Sequence, residues 1–389
     1  MTFTAEQREI QGLAREFAQN EIAPHAERWD AERELSESVF GALSELGFLG
    51  MLTPERYGGL DLDVPTYLLV LEEIARADAS VALAVAIQNG PVPAILLGHG
   101  TEAQKEMWLP RLASGEVLGA FALSEAGAGS DAAALETRAV RTDTGWVLDG
   151  RKAWITNGGR AGVVVLFARI EDEGVACFLV EPGSPGYEVV ERVTTMGHRA
   201  SETVNVALSD VRLPHEALVG EPGRGLSYAL ESLVLGRTGI AAQALGIAQA
   251  SLDHATRYSM ERRQFGMPLA QFGATQAKLA NMAARIAGAR AAIHEVGERL
   301  EARRRGGVDM GTGAEDLGAR AAGAKLLASE TAMYAADEAV QIFGGYGYMR
   351  DYPVERLMRD AKGTEIFEGT SEIMRVVIAR ALLQAARES

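Results

Sequence analysis

The 389-residue chain has one cysteine, Cys177, so it can form no intrachain disulfide and no cysteine-based metal cluster. Its six histidines (His25, His99, His198, His215, His254 and His294) are scattered with no HxxxH or paired-carboxylate spacing, and no metal site is expected. Neither a GxSxG elbow nor a P-loop occurs. Basic residues are in deficit: Lys+Arg 38 against Asp+Glu 53 gives a formal net charge of -15, a sign that repels polyanions and excludes nucleic acid as an expected partner. Long unbroken apolar runs are also missing. The most apolar stretch, VALAVAIQNGPVPAILLG (81 to 98), is interrupted by Gln88, Asn89, Gly90 and two prolines, so no membrane insertion is expected. The N-terminus, MTFTAEQREIQGLAREF, carries charge where a signal peptide needs an apolar core, which predicts a cytoplasmic protein.

What remains is an ordinary globular composition, 47% hydrophobic and 23% charged, in a chain too long for one core. Three regions separate by periodicity. Apolar residues three or four apart in EQREIQGLAREFAQNEI, SESVFGALSELGFLGML and PTYLLVLEEIARA predict a helical domain over 1–117. Short β-rich runs (VLGAFAL, GWVLDG, AGVVVLFARI, GVACFLVEP, YEVVERV, TVNVALSDVRLP), punctuated by Gly, Pro and Asp, predict a compact antiparallel β-domain over 118–220. Long alanine-rich stretches predict a helical bundle over 221–389. The fold class is therefore α+β multidomain. Small residues on those last helices suit close packing, within one bundle or between copies of it. RRRGGVDMGTGAEDLG (303 to 318) reads as the flexible loop.

Several stretches admit both a structural and a chemical explanation. SEAGAGSD (124 to 131) follows an apolar strand, and its glycines suit either a tight turn or the close approach of a phosphate or planar ligand. In KAWITNGG (152 to 159), Trp154 and Thr156 alternate onto one strand face, as core residues or as the wall of an aromatic ligand site. ERRQFG (261 to 266) places two arginines at the end of a long helix, where the helix dipole or a phosphate would favour them. Gly344 and Gly345 in QIFGGYGYMRDYPVER suit a helix C-cap or a diphosphate. In IFEGTSEIMR (366 to 375), a helix start accounts for Thr370, Ser371 and Glu372 but leaves Glu368 unexplained.

In this order and over nearly the whole chain, SEAGAGSD, KAWITNG, LGRTGIAAQALGIAQ, ERRQFG, QIFGGYGY and IFEGTSEIMR resemble the acyl-CoA dehydrogenase family of flavoenzymes. The resemblance implies an N-terminal helical domain, a central β-domain, a C-terminal four-helix bundle and a homotetramer, a dimer of dimers, with FAD near subunit boundaries. It further implies that Phe121, Leu123, Ser124, Gly129 and Ser130 hold the flavin ring, Ser130 also approaching CoA, and that Trp154 and Thr156 line the isoalloxazine. Arg262, Phe265 and the run Gln341, Ile342, Phe343, Gly344 and Gly345 would reach FAD of a neighbouring subunit, and Thr370 and Glu372 would lie next to the diphosphate and adenine end of FAD. Arg237, Phe367 and Gly369 would lie against the thioester, and Glu368 would be the catalytic base, abstracting the α-proton while the β-hydride goes to flavin N5. Gly236 occupies the place where other branches of the family carry the base, an arrangement similar to the short-chain, medium-chain, glutaryl and short-branched-chain types, and LGRTGIAAQALGIAQ is most similar to the short-chain type. Three positions depart from the common pattern: Ala126 for a proline, Val234 for an aspartate, and Gly273 for a glutamine whose contact with FAD Gln276 is expected to supply. The implied partners are an acyl-CoA thioester and an electron-transferring flavoprotein. A flavin-dependent oxidase on the same fold, or a non-catalytic acyl-CoA or flavin-binding protein, are the alternatives.

Overall fold

The computed structural model describes residues 3–306 and 317–388, so most of the loop expected in RRRGGVDMGTGAEDLG falls outside the described residues. Helices α1 (Ala5–Phe17), α2 (Ala26–Glu32), α3 (Glu37–Glu45), α4 (Val64–Ala77), α5 (Ala79–Asn89), α6 (Pro91–His99) and α7 (Glu102–Ala113) come first. Their starts are set by side chains: Thr4 and Gln7 form a capping box on α1, Asp63 accepts the Thr66 amide at 2.7 Å on α4, and Asp78 accepts the Ser80 and Val81 amides on α5. The apolar stretch 81 to 98 is long and apolar enough in composition to cross a membrane, but it divides at Gly90 and Pro91 into α5 and α6 and is largely buried in the protein core.

The strands follow: β1 (Gly119–Ala122), β2 (Arg138–Thr142), β3 (Gly145–Thr156), β4 (Val163–Ile170), β5 (Gly174–Val180), β6 (Tyr187–Arg192), β7 (Thr203–Leu213) and β8 (Leu218–Val219). They form one sheet in the order β6-β7-β3-β2-β4-β5-β8, with β1 also on β4. The sheet is mixed, which corrects the antiparallel expectation at β4: β4 runs parallel to β1, with Ala120 opposite Val164, and parallel to the start of β2. A parallel pair needs a long crossover connection, and between β1 and β4 that connection contains the 124–131 turn and the antiparallel β2–β3 hairpin.

Helices α8 (Gly225–Glu261), hairpin strands β9 (Arg263–Gln264) and β10 (Met267–Pro268), α9 (Gly273–Arg304), α10 (Leu317–Phe343), α11 (Pro353–Thr364) and α12 (Ser371–Glu388) complete the chain. Helix α10 packs on α8, α9, α11 and α12, and α4 packs on both α8 and α9. One buried cluster therefore runs through the N-terminal and C-terminal helices, joining Tyr67, Leu68, Leu71 and Ile74 to Leu245, Ile293 and Val296. A second cluster joins the sheet to α5, α6, α7 and α8, and a third fills the other face of the sheet around Trp146 and Phe178.

Candidate active site

The connection from α11 to α12 carries IFEGT, and its backbone is left-handed at two successive residues: Glu368 has φ 53 and Gly369 φ 104. Glycine takes such angles freely, whereas a glutamate does so at a cost of about 1 kcal/mol that its surroundings must offset. Arg237 Nε on α8 donates to the Glu368 carbonyl at 3.2 Å, Lys325 Nζ on α10 donates to the Gly369 carbonyl at 2.8 Å, and the Ser371 amide donates to the Glu365 carbonyl at 2.9 Å. A Cβ on Gly369 would lie 2.6 Å from Met374 Cε, the mobile end of a flexible side chain, so the positive φ rather than space is what favours glycine there.

Although Glu368 as a residue is only half-buried, its Oε2 is fully buried with no hydrogen-bond partner among the described residues. A Cβ on Gly236 of α8 would come within 2.3 Å of that oxygen, so the carboxyl occupies space left free by the glycine. Burial pushes the Glu368 carboxyl up to about 7, against the opposing pull of the Arg237 and Lys325 charges. Tyr67 of α4 faces the same space; burial and the Glu368 charge raise its phenol, whose oxygen also has no partner among the described residues. Phe367 stacks edge-on against His198 at 5.2 Å, and the His198 amide donates to Asp360 Oδ1 at 2.6 Å, which ties the loop to β-domain residues and α11. Thr370 Oγ1 accepts the Ile373 amide at 3.3 Å, so Thr370, and not Ser371, caps α12. Glu372 is exposed, its carboxyl held below the usual value by its own amide and the Thr370 hydroxyl.

On the sheet side, Phe121 packs against Phe167 at 5.1 Å and Leu123 is buried, and both share a cluster with Phe367. The structure thus brings the β-domain turn and the Glu368 loop to the same region. Beyond them, the turn is held from below by a buried ion pair. Lys152 Nζ donates to the Leu123 carbonyl at 3.1 Å and to Glu125 Oε1 at 2.8 Å, while Glu125 accepts the amides of Glu136 and Thr137. The Ala153 amide donates to the Ser124 carbonyl at 2.9 Å. The rim is left open: Gly129 and Ser130 are exposed, and a Cβ on Gly127 or Gly129 would have no neighbour within 4 Å. Trp154 is 53% exposed rather than core. It sits at φ 60 in a bulge between Lys152 and Ile155, its amide on Asn205 Oδ1 at 3.0 Å. The extra residue interrupts strict alternation, yet Trp154 and Thr156 still flank buried Ile155 as the more exposed pair.

A second group of the singled-out residues gathers elsewhere. Helix α8 stops at Glu261, so Arg262 and Arg263 lie beyond its last turn, a correction to the reading of ERRQFG as a helix end bearing both arginines. The cause is the β9–β10 hairpin, whose turn residues Phe265 and Gly266 have φ 51 and 84. Arg262 lies over the Tyr346 ring at 5.4 Å, and Phe265 is 95% exposed. A cleft of about 660 Å³ is lined by Arg262, Tyr258, Ile342, Phe343, Gly344 and Gly345, where Gly344 at φ 62 ends α10. Gln341, the residue before Ile342, is exposed, and exposed Gln276 donates to the Ala270 carbonyl at 2.9 Å. Lys325 and Phe343 share α10 and are about 27 Å apart along its axis at 1.5 Å per residue. The cleft and the Glu368 loop of one chain are therefore separate places.

Sequence reading missed Lys325, Tyr67, His198 and the Lys152–Glu125 pair. None stands in a motif with its own spacing; only Lys152, inside KAWITN, and Glu125, inside SEAGAGSD, lie in stretches that carried a neighbouring signal.

An exposed indole beside an open glycine turn and a buried carboxyl raised toward neutrality, set where helices meet a sheet, define the site of an enzyme that pairs a planar ligand with a base. Three family models match the chain: "Acyl-CoA dehydrogenase, N-terminal domain" over residues 4–116, "middle domain" over 120–211 and "C-terminal domain" over 223–383. The chain belongs to the acyl-CoA dehydrogenase family. It is 41% identical to an acyl-CoA dehydrogenase of Bacillus subtilis, over 98% of this chain and 99% of that one. It is 41% identical to the mitochondrial short-chain specific acyl-CoA dehydrogenase of Rattus norvegicus, over 97% of this chain and 90% of that one. Among solved structures, the butyryl-CoA dehydrogenase of Megasphaera elsdenii superposes with a TM-score of 0.92 at 39% identity, covering 98% of this chain and 99% of that one. A glutaryl-CoA dehydrogenase of Mycobacterium smegmatis in complex with FADH2 does so at 0.91 and 32%, covering 98% and 95%. The protein is an FAD flavoenzyme that acts on acyl-CoA, and the open rim of the turn with the exposed Trp154 indole fits a planar ring.

Proposed function

We propose that this protein is a short-chain acyl-CoA dehydrogenase in which Glu368 removes the α-proton of the thioester. The observation that carries this reading is the Glu368 carboxyl itself: buried, unpartnered at Oε2 and raised to about 7. A base works best when its proton affinity matches the working pH, and here desolvation supplies the match. FAD, when bound, supplies the two-electron oxidant that accepts the β-hydride, so that the product is a trans-2-enoyl-CoA.

The chain's own residues do the rest. Arg237 and Lys325 hold the backbone that aims Glu368, Gly236 leaves space for its carboxyl, and Phe367 with His198 walls it from water. Phe121, Leu123, Ser124, Gly129, Ser130, Trp154 and Thr156 would hold the ring. Ser130, Arg237, Phe367 and Gly369 would contact the thioester, and Thr370 and Glu372 would lie toward the diphosphate. Arg262, Phe265, Gln276 and the run 341–345 would contact FAD of a neighbouring subunit. Their separation from the Glu368 loop of the same chain supports a homotetramer with shared sites. We also assign domains 1–117, 118–220 and 221–389, a cytoplasmic location, and an electron-transferring flavoprotein as electron acceptor. The short-chain relatives support a short acyl group.

The Glu368→Gln variant tests the base directly. It should bind FAD as the parent does but lose anaerobic reduction of the flavin by butyryl-CoA by roughly 100-fold or more. Retained reduction would move the base elsewhere.

A further inference from the structure

Two buried cations grip consecutive peptide groups of the base loop. Arg237 Nε holds the carbonyl of Glu368 at 3.2 Å and Lys325 Nζ that of Gly369 at 2.8 Å, from α8 and α10 respectively. Arg237 belongs to the short-chain pattern of the sequence; Lys325 is singled out by position alone. Its residue is fully buried, in a helix whose other buried residues are mostly alanine. Burying an ammonium is costly unless it is paired or well bonded, and a neutral side chain would pack against Ala321, Ala322 and Ala328 without that cost. Among the described residues Lys325 has no carboxylate within ion-pair distance, and its partner is a peptide carbonyl one residue from the base. The geometry points to Lys325 as a positioning residue of the reaction, one that clamps the Gly369 carbonyl to keep the loop left-handed and whose charge favours the ionised carboxylate of Glu368. This rests on Glu368 being the base.

The charged and titratable groups facing this space come from each surrounding element: Tyr67 from α4, Arg237 from α8, Lys325 from α10, and Glu365 and Glu372 from the two sides of the loop. Burial lowers the Lys325 ammonium to about 8, and the Glu368 charge is the largest influence holding it up. The coupling is reciprocal, since Lys325 pulls the Glu368 carboxyl down. The two cations thus act against desolvation, which alone would lift the carboxyl further.

Two substitutions separate the carbonyl clamp from the charge. Lys325→Gln keeps an N–H donor for the Gly369 carbonyl and removes the charge; Lys325→Met removes both. The pH dependence of anaerobic flavin reduction by butyryl-CoA is measured for each holoenzyme, with FAD content as the check on folding. Loss of a neighbouring charge moves a carboxyl by about 1 unit or more. The acid limb of Lys325→Gln should therefore shift about 1 pH unit upward with its plateau lowered less than that of Lys325→Met, which should show the same shift and a plateau lowered about tenfold or more. Lys325→Arg, with the charge restored, should return the limb to its parent position. A purely structural lysine would lower FAD content or stability while leaving the limb in place, and an unmoved limb in Lys325→Gln overturns the proposal even if Lys325→Met does not fold. Glu368→Gln in the same assay keeps the two readings apart. If it still reduces flavin, the assignment of the base fails; if it is inactive and the Lys325 limbs do not move, only the role of Lys325 fails.

Discussion

At Gly236 one added methyl group would meet Glu368 Oε2 at 2.3 Å, a distance no Cβ tolerates. The oxygen is the free end of a side chain and can swing aside, so the strain is relieved by misplacing the base rather than by unfolding the helix. Gly236→Ala should therefore keep FAD and thermal stability close to the parent yet lose about 100-fold in kcat, the usual consequence of a 1 Å error at a reacting group. The proton affinity of Glu368 leads to a second outcome. Its carboxyl is raised to about 7 and only the ionised form can accept a proton, so kcat/KM should rise tenfold per unit with increasing pH below about 7 and level off above it. An acid limb near pH 4.5, that of an ordinary glutamate, would mean that the carboxyl is solvated in the working enzyme.

Among the elements, the turn that opens toward the flavin depends on β3. Lys152 is fully buried, its charge balanced by Glu125 and the Leu123 carbonyl. Removing one member of a buried pair strands the other. Lys152→Met should cost about 3 kcal/mol, read as a lower melting temperature, and should release FAD more readily, because the turn loses its support. Much of this frame was legible in advance. Period-3.6 patterns located α1, α3, α4 and the long helices, and β-branched runs located β1 and β3 to β7. The polar β2, RAVRT, gave no such signal because one face of it is exposed, and the parallel pairing of β4 depends on chain crossing, which periodicity does not encode. Glu368 stood out because nothing local needed it. The Trp154 bulge and the Lys325 clamp did not, since each depends on groups brought together from distant segments.

For the whole molecule, exposed Phe265 bears on assembly. A phenylalanine at φ 51 with 95% of its surface in water is unfavourable twice over, and the proposed homotetramer would cover it. Phe265→Asp should shift sedimentation from tetramer toward smaller species and lower FAD content, with the fold of each protomer intact by circular dichroism. The packing of α4 between α8 and α9 reaches back to the birth of the chain. Helix α4 leaves the ribosome well before α8 and α9 have been made, and at typical synthesis rates the gap is on the order of ten seconds. Through that interval Leu68, Leu71 and Ile74 face water with their later neighbours still unmade. The first third of this protein thus completes its packing only when the last third arrives.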